Sequence, residues 1–291
     1  MSLLDLLRDP PPEVVFEVAA DGIAMSRTRP PIGVRHVPLQ PGVLAPSPVK
    51  ENILDLAAFT EAVRQLTPNG SGRGKRRAAL ILPANSARIV VLDFDNLPEK
   101  EEERRQLISF RLRKSIPFDV DEAALSYFPQ AGRKVIVAVA PAGIIEHYEA
   151  PFRAAGWHPG LVTVSSLAIL DLLPATGSIV LAHLSPGVLT VIAMSAGVVT
   201  IVRSVEIGDV DADPLDEVVA AVFPTLAYIE DQTQSRPQKL FIAGFSAASG
   251  NEAALRLAAE LDIPVEPVDE QYPGIAGYLA SVAPAHKKAA A

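Results

Sequence analysis

The sequence of 291 residues contains no cysteine. Disulfide scaffolds, thiol catalysis and Cys-ligated zinc or iron–sulfur sites are therefore excluded. Histidine is scarce: five residues lie scattered without HxH or HExxH spacing, which leaves little for a His-rich metal site. Basic charge is in deficit, with 26 Lys and Arg against 34 Asp and Glu and a net charge of −8. Such an acidic chain is a poor candidate for general nucleic-acid binding. No GxSxG elbow is present, and no Lys-Ser/Thr opens a helix after a glycine-rich loop. The start also lacks the features of a signal peptide. An acid interrupts the apolar run of Met1–Pro10 and no small-residue cleavage site follows, so a cytoplasmic location is expected.

What is present reads as a globular protein: 49% of residues are apolar and 21% charged, enough for one large or two medium domains. From Leu172 to Val202 there is no Lys, Arg, Asp or Glu. That run is long enough to cross a bilayer. Pro186-Gly187 and Ser195-Ala196-Gly197 nonetheless divide it into Ser178–Leu184, Val188–Met194 and Gly197–Val205, each rich in Val, Ile and Thr. Turn punctuation between β-prone pieces predicts a buried antiparallel meander.

Other elements follow from periodicity and breakers. Strands are expected at Glu13–Val18 and Ile23–Thr28 around the Asp21-Gly22 turn, and at His36–Leu39. Leu56, Phe59, Val63 and Leu66 mark a helical face. Thr67–Arg77 is a basic loop, either a solvated run or a phosphate or lipid contact. Strands Ala78–Pro83 and Arg88–Phe94 precede a helix opened by Pro98 and stopped by Pro117, acidic at its start and basic at its end, with a buried stripe of Ile108, Leu112 and Ile116. Strands Ala123–Phe128 and Arg133–Ala140, helix Ile144–Ala155, strand Leu161–Val164 and a short helix capped by Ser165 come next. After the meander come helix Pro214–Gln232, strand Lys239–Ala243, helix Asn251–Leu261, strand Val265–Pro267 and helix Ile275–Val282. A meander followed by βα units thus occurs twice. This predicts an α/β protein with the actin-like (ribonuclease-H-like) duplicated fold.

Specific residues point further. Leu97-Pro98 before an acidic helix, then Ser115-Ile116-Pro117-Phe118, an acidic stretch and Tyr127-Phe128, resemble the PilM family of type IV pilus assembly proteins. Val37-Pro38-Leu39 with Gly42, Ala78–Pro83, Phe152–Trp157 and Tyr228–Gln234 fit the same pattern in order and spacing. The resemblance covers about residues 14–275. It implies an actin-like relative of the cell-division protein FtsA, with two phosphate-binding hairpins that each carry Asp-x-Gly and a later Gly-Gly turn for adenosine. At those positions this chain reads Val18–Gly22, Leu181–Gly187 with His183 near the place of the Asp, and Ile242–Ser246 with Phe245 in place of the second Gly. Carboxylates suit magnesium and small residues suit close backbone approach. Only Gly208–Asp213 separates the meander from the next helix, so the helical subdomain of the family's second half is also expected to be missing. The resemblance thus implies an inserted small subdomain and a reduced second half, with an expected division into 13–84 with 161–175, an insertion over 85–160, a second half over 176–283 and a tail over 284–291.

The resulting expectation is a non-catalytic scaffold, with no catalytic, cofactor-binding or metal residue assigned. It would sit peripherally at the inner membrane and bind the cytoplasmic tail of a PilN-like protein in the groove between the first subdomain and the insertion. Ile116, Pro117 and Phe118 are the candidate partner-binding residues, the alternative being that Ile116 and Phe118 are core. One alternative function is an actin-like ATPase with atypical motifs, with Glu206, Asp209, Asp211 and Asp213 as a metal cluster. Another is the cytoplasmic domain of a GspL-like secretion protein, disfavoured because Ala285–Ala291 leads into no membrane helix. A Ser185–His183 hydrolase is a more distant reading, and Trp157-His158 reads as a packed aromatic beside a surface histidine.

Overall fold

A computed structural model describes residues 11–31, 33–67, 76–208, 214–245 and 247–283. The chain runs β1 (Val14–Ala19), β2 (Gly22–Arg27), β3 (Arg35–Pro38), α1 (Leu56–Leu66), β4 (Arg76–Leu82), β5 (Arg88–Asp93), α2 (Glu101–Leu112), β6 (Ala123–Pro129), β7 (Lys134–Pro141), α3 (Ala142–Ala154), β8 (Trp157–Val164) and α4 (Ser165–Ala168). It continues through β9 (Ser178–Ser185), β10 (Val188–Ser195), β11 (Val198–Glu206), α5 (Pro214–Thr233), β12 (Lys239–Ala243), α6 (Ala247–Leu261), β13 (Val265–Pro267) and α7 (Pro273–Val282).

Two five-stranded sheets have the same plan. The first is ordered β3-β2-β1-β4-β8 and the second β11-β10-β9-β12-β13. In each, three strands form an antiparallel meander and the last two run parallel to its first strand. The uncharged run becomes β9, β10 and β11; most of β9 and β10 is buried, as strands covered on both faces are. In the first half, Phe16, Ile23 and Leu80 face a core filled by Phe59 and Leu66 of α1 and by Tyr148 and Phe152 of α3. The opposite face carries Val15, Ala79 and Ile81 against Ala168 of α4 and Ile275 and Tyr278 of α7. The C-terminal helix thus returns to the first half. It crosses α4 closely at Gly277, where a Cβ would lie 2.0 Å from the Ala168 carbonyl oxygen.

The inserted unit is a three-stranded sheet, β5-β7-β6, covered by α2 through Ile108 and Leu112. Its other face reaches the second sheet, with Val91 and Ile136 packed against Ile192 and Val199. The Gln130 amide ties the two by donating to Val199 O at 2.9 Å and accepting from Val199 N at 2.7 Å. Within the 85–160 segment, α3 packs into the first core and all of β8 lies in the first sheet, so the three-stranded unit and its helix occupy residues 88–141. A polar chain fixes α3 to the proline-rich segment before α1. The Tyr148 hydroxyl donates to Asn52 Oδ1 at 3.0 Å and meets Ser86 Oγ at 3.1 Å, and Asn52 Nδ2 donates to Ser47 O and Lys50 O.

Several boundaries differ from expectation. Helix α2 begins at Glu101, because Arg104 folds back to the carbonyls of Pro98 and Glu99 and holds those residues outside the helix. Ser165 is the first residue of α4 and makes no side-chain cap; Val164 occupies the cap position. Strand β8 starts at Trp157, and a register shift opposite Ala78/Ala79 absorbs Gly160. The acidic residues Asp209, Asp211 and Asp213, the loop of residues 68–75 and the tail of residues 284–291 lie outside the described residues.

Candidate functional site

The two halves meet at a cleft of about 400 Å³. It is lined by the β1–β2 hairpin, the β9–β10 hairpin, Gly244 after β12 and Tyr272 before α7. The hairpins are equivalent: β1 closes on the pair Ala19–Gly22 and β9 on Ser185–Val188. Two residues before each closing pair stand Glu17 and His183, so the duplicated plan directs an acid and an imidazole into one cleft.

Both are buried, and among the described residues neither meets an opposite charge. Glu17 is 8% exposed and spans the N-terminus of α7, accepting from Gly274 N at 3.2 Å and Ile275 N at 2.8 Å. Burial pushes its carboxyl up to about 7, against the pull of those two donors. A helix N-terminus favours a carboxylate, and the bond joins the first strand to the last helix. Burial pushes the His183 imidazole down to about 4, so it is neutral at physiological pH. Its Nε2 lies 3.5 Å from Ser185 Oγ, while Nδ1 is buried without a hydrogen-bond partner. A nucleophile–base–acid relay needs a carboxylate on that nitrogen, and among the described residues there is none. The sequence singles out His183 in the second hairpin and names no acid in the first, where the register sets Glu17 at the equivalent place. That acid is already engaged by α7.

The third loop is shaped by packing. Gly244 has φ +88°, and a Cβ there would lie 1.9 Å from the Leu184 carbonyl oxygen. Phe245 packs against the core of the second half. On the opposite wall the ring of His36 stands 5.8 Å from that of Tyr272. Among the described residues no group of three His, Asp or Glu side chains is placed to hold a metal ion.

A second, larger concavity of about 810 Å³ lies between the insertion and the first sheet. Its rims are β6 and β8, each the edge strand of its sheet. Its walls are mainly apolar, from Leu82, Ile145 and Leu167 to Leu161 and Phe128. Phe128 is 67% exposed and Leu161 39%. Unpaired strand edges beside apolar pockets are what an extended peptide needs for backbone pairing and side-chain anchoring. The three residues singled out from sequence lie elsewhere. Ile116 is buried in the core of the insertion, Phe118 packs half-buried on that core, and Pro117 is exposed; none lines the groove. The exposed Phe128 belongs to the Tyr127-Phe128 pair already visible in the sequence.

No protein-family model matches the chain, and no curated protein matches its sequence. Solved structures do match. A PilM–PilN type IV pilus biogenesis complex is similar at 16% identity over 95% of this chain and 100% of that one, with a TM-score of 0.70. A Bacteroides thetaiotaomicron protein with an actin-like ATPase fold matches at 11% identity over 91% and 94% of the two chains, with a TM-score of 0.55. The cytoplasmic domain of EpsL, an inner-membrane component of the type II secretion system of Vibrio cholerae, matches at 9% identity over 92% and 93%, with a TM-score of 0.52. The chain has the actin-like fold. Among its described residues no helix is long and apolar enough to cross a membrane.

Proposed function

We propose that this chain is a non-catalytic scaffold of PilM type in a pilus or secretion assembly, and that it takes the cytoplasmic tail of a PilN-like membrane protein in the β6–β8 groove. The carrying observation is the groove itself, two open strand edges facing each other across an apolar floor. The likeness in fold to a chain solved as a PilM–PilN complex supports the choice of partner. The likeness to the EpsL cytoplasmic domain supports a secretion system as the alternative setting.

The cleft supports the non-catalytic reading. Magnesium is held by free carboxylates and waters, whereas Glu17 is engaged by two backbone N–H groups and His183 is a neutral imidazole. Gly244 lies against the Leu184 carbonyl, where a nucleotide would need open backbone. These groups do not fit a magnesium–nucleotide. Millimolar Mg-ATP should leave the melting temperature unchanged. Stabilisation by ~2–3 kcal/mol, the effect of ligand near 100-fold above its Kd, would overturn this reading.

The groove is tested with a peptide of the PilN-like tail. Phe128→Asp should weaken binding by ~2 kcal/mol or more, the threshold for an anchor residue, and leave the melting temperature unchanged because the ring is exposed. Phe118→Asp should instead lower the melting temperature, since Phe118 packs on the core of the insertion. Full binding by folded Phe128→Asp and Leu161→Asp variants would remove the groove from consideration.

A further inference from the structure

At the end of the first sheet remote from the cleft, a cavity of about 590 Å³ opens between the start of β1, the end of β2 and the start of β8. Four guanidinium groups line it, those of Arg27, Arg29, Arg35 and Arg76, beside one acid, Glu13. In a chain of net charge −8, this is a local excess of three positive charges. Three of the arginines have a structural contact. Arg29 donates to Val282 O at the end of α7, Arg35 to Gln65 O and Leu66 O at the end of α1, and Arg76 to Ala155 O just beyond α3. A helix C-terminus offsets at most about half a charge, and each guanidinium has five N–H donors. No ion pair with a carboxylate joins these four arginines to the described residues, and the Arg27 guanidinium makes no polar contact with them.

Two side chains in the same wall carry unused polar atoms. The Trp157 Nε1 and Thr28 Oγ1 atoms are buried without a hydrogen-bond partner, and each residue is only 4% exposed. The Arg76 guanidinium lies over the Trp157 ring, 4.0 Å from its centroid. Leaving buried donors unpaired is costly, and fixed planar guanidinium forks match phosphate oxygens.

We propose that this cavity binds a phosphate group carried on a small solute or on a lipid headgroup. Clustered guanidinium forks supply donors for a multiply charged oxyanion, and a buried hydroxyl and a buried indole N–H in the same wall have no hydrogen-bond partner. The site is separate from both the cleft and the peptide groove, sharing no lining residue with either.

Trp157 is the only tryptophan, so its fluorescence reports on this wall alone. The full chain is titrated with inorganic pyrophosphate, and separately co-sedimented with phosphatidylglycerol or phosphatidylcholine vesicles, with potassium chloride at matched ionic strength as a control. A saturable Trp157 change with pyrophosphate identifies a solute site; binding to phosphatidylglycerol vesicles alone identifies a headgroup site. In either case Arg27→Gln should weaken binding by about tenfold or more, as expected for loss of a charge-assisted contact, with an unchanged melting temperature. The proposal is overturned if neither probe binds, if chloride gives the same response, if both vesicle types bind equally, or if Arg27→Gln binds as tightly as the parent.

Discussion

Replacing Glu17 by Gln should change how the stability of this protein depends on pH. In the folded chain burial raises the carboxyl from 4.5 to about 7. Between those values the native state holds a proton that the unfolded chain has released, so stability is fully present below pH 4.5 and is lost as pH rises towards 7. At 1.36 kcal/mol per pKa unit, the shift corresponds to about 3 kcal/mol. His183 works in the other direction. Its folded value is lowered from 6.5 to about 4, so its contribution is present above 6.5 and is lost as pH falls towards 4. The two slopes nearly cancel in the parent protein across the shared window. Glu17→Gln removes one of them and should expose the other, giving stability that rises with pH between about 4 and 6.5. At about pH 8 the variant is relieved of the carboxylate's burial penalty but loses one acceptor facing Gly274 N or Ile275 N, a cost of roughly 1–3 kcal/mol. Its net stability there should be near that of the parent or slightly above. Urea midpoints at constant m-value, taken from about pH 4 to 8, measure this directly. Curves for parent and variant that run parallel across the range would refute the reasoning.

Three further outcomes follow from the packing. Tyr148→Phe leaves Asn52 Oδ1 and Ser86 Oγ in a buried network without their partner and should cost about 1–3 kcal/mol in urea unfolding. Gly244→Ala combines a positive φ with a Cβ 1.9 Å from the Leu184 carbonyl oxygen, and should lower stability by about 3 kcal/mol or more. His183→Leu removes a buried nitrogen that has no partner; it should be neutral to stabilising at about pH 8 and should flatten the acid side of the stability profile. A large loss at that pH would mean that the imidazole has a partner in the cleft.

Much of the fold was legible because local signals agreed with one another. The uncharged run was resolved into three strands by Pro186-Gly187 and Gly197, and all three glycine and proline positions fall in the turns of the second sheet. The repeated element order was enough to predict the actin-like fold. Errors arose where a long-range partner overrides a local signal. The strand expected over Leu161–Val164 begins at Trp157, because pairing with β4 draws Trp157–Gly160 into it through a bulge. Ile144, Tyr148 and Phe152 form an obvious helical stripe, but nothing in their spacing says that they face the first core and not that of the insertion.

The site was less legible because each of its parts joins distant segments. Glu17 is a single acid inside an apolar strand, and it gains meaning only when the two hairpins are superposed and when a helix 257 residues further on offers its N–H groups. The groove depends on two strand edges being left open, and edges are a property of sheet order, which residue patterns do not encode. Ile116 and Phe118 stood out through the Ser115–Phe118 motif that carries the family resemblance, and both pack in or on the core of the insertion. Phe128 shows the opposite case. On β6, Leu125 and Tyr127 alternate inwards against α2, which turns Ser126 and Phe128 outwards towards the groove. Period-two alternation in Leu125–Phe128 therefore already marks Phe128 as exposed, and a large exposed aromatic on an edge strand is a stronger sign of a partner than an apolar residue beside a proline.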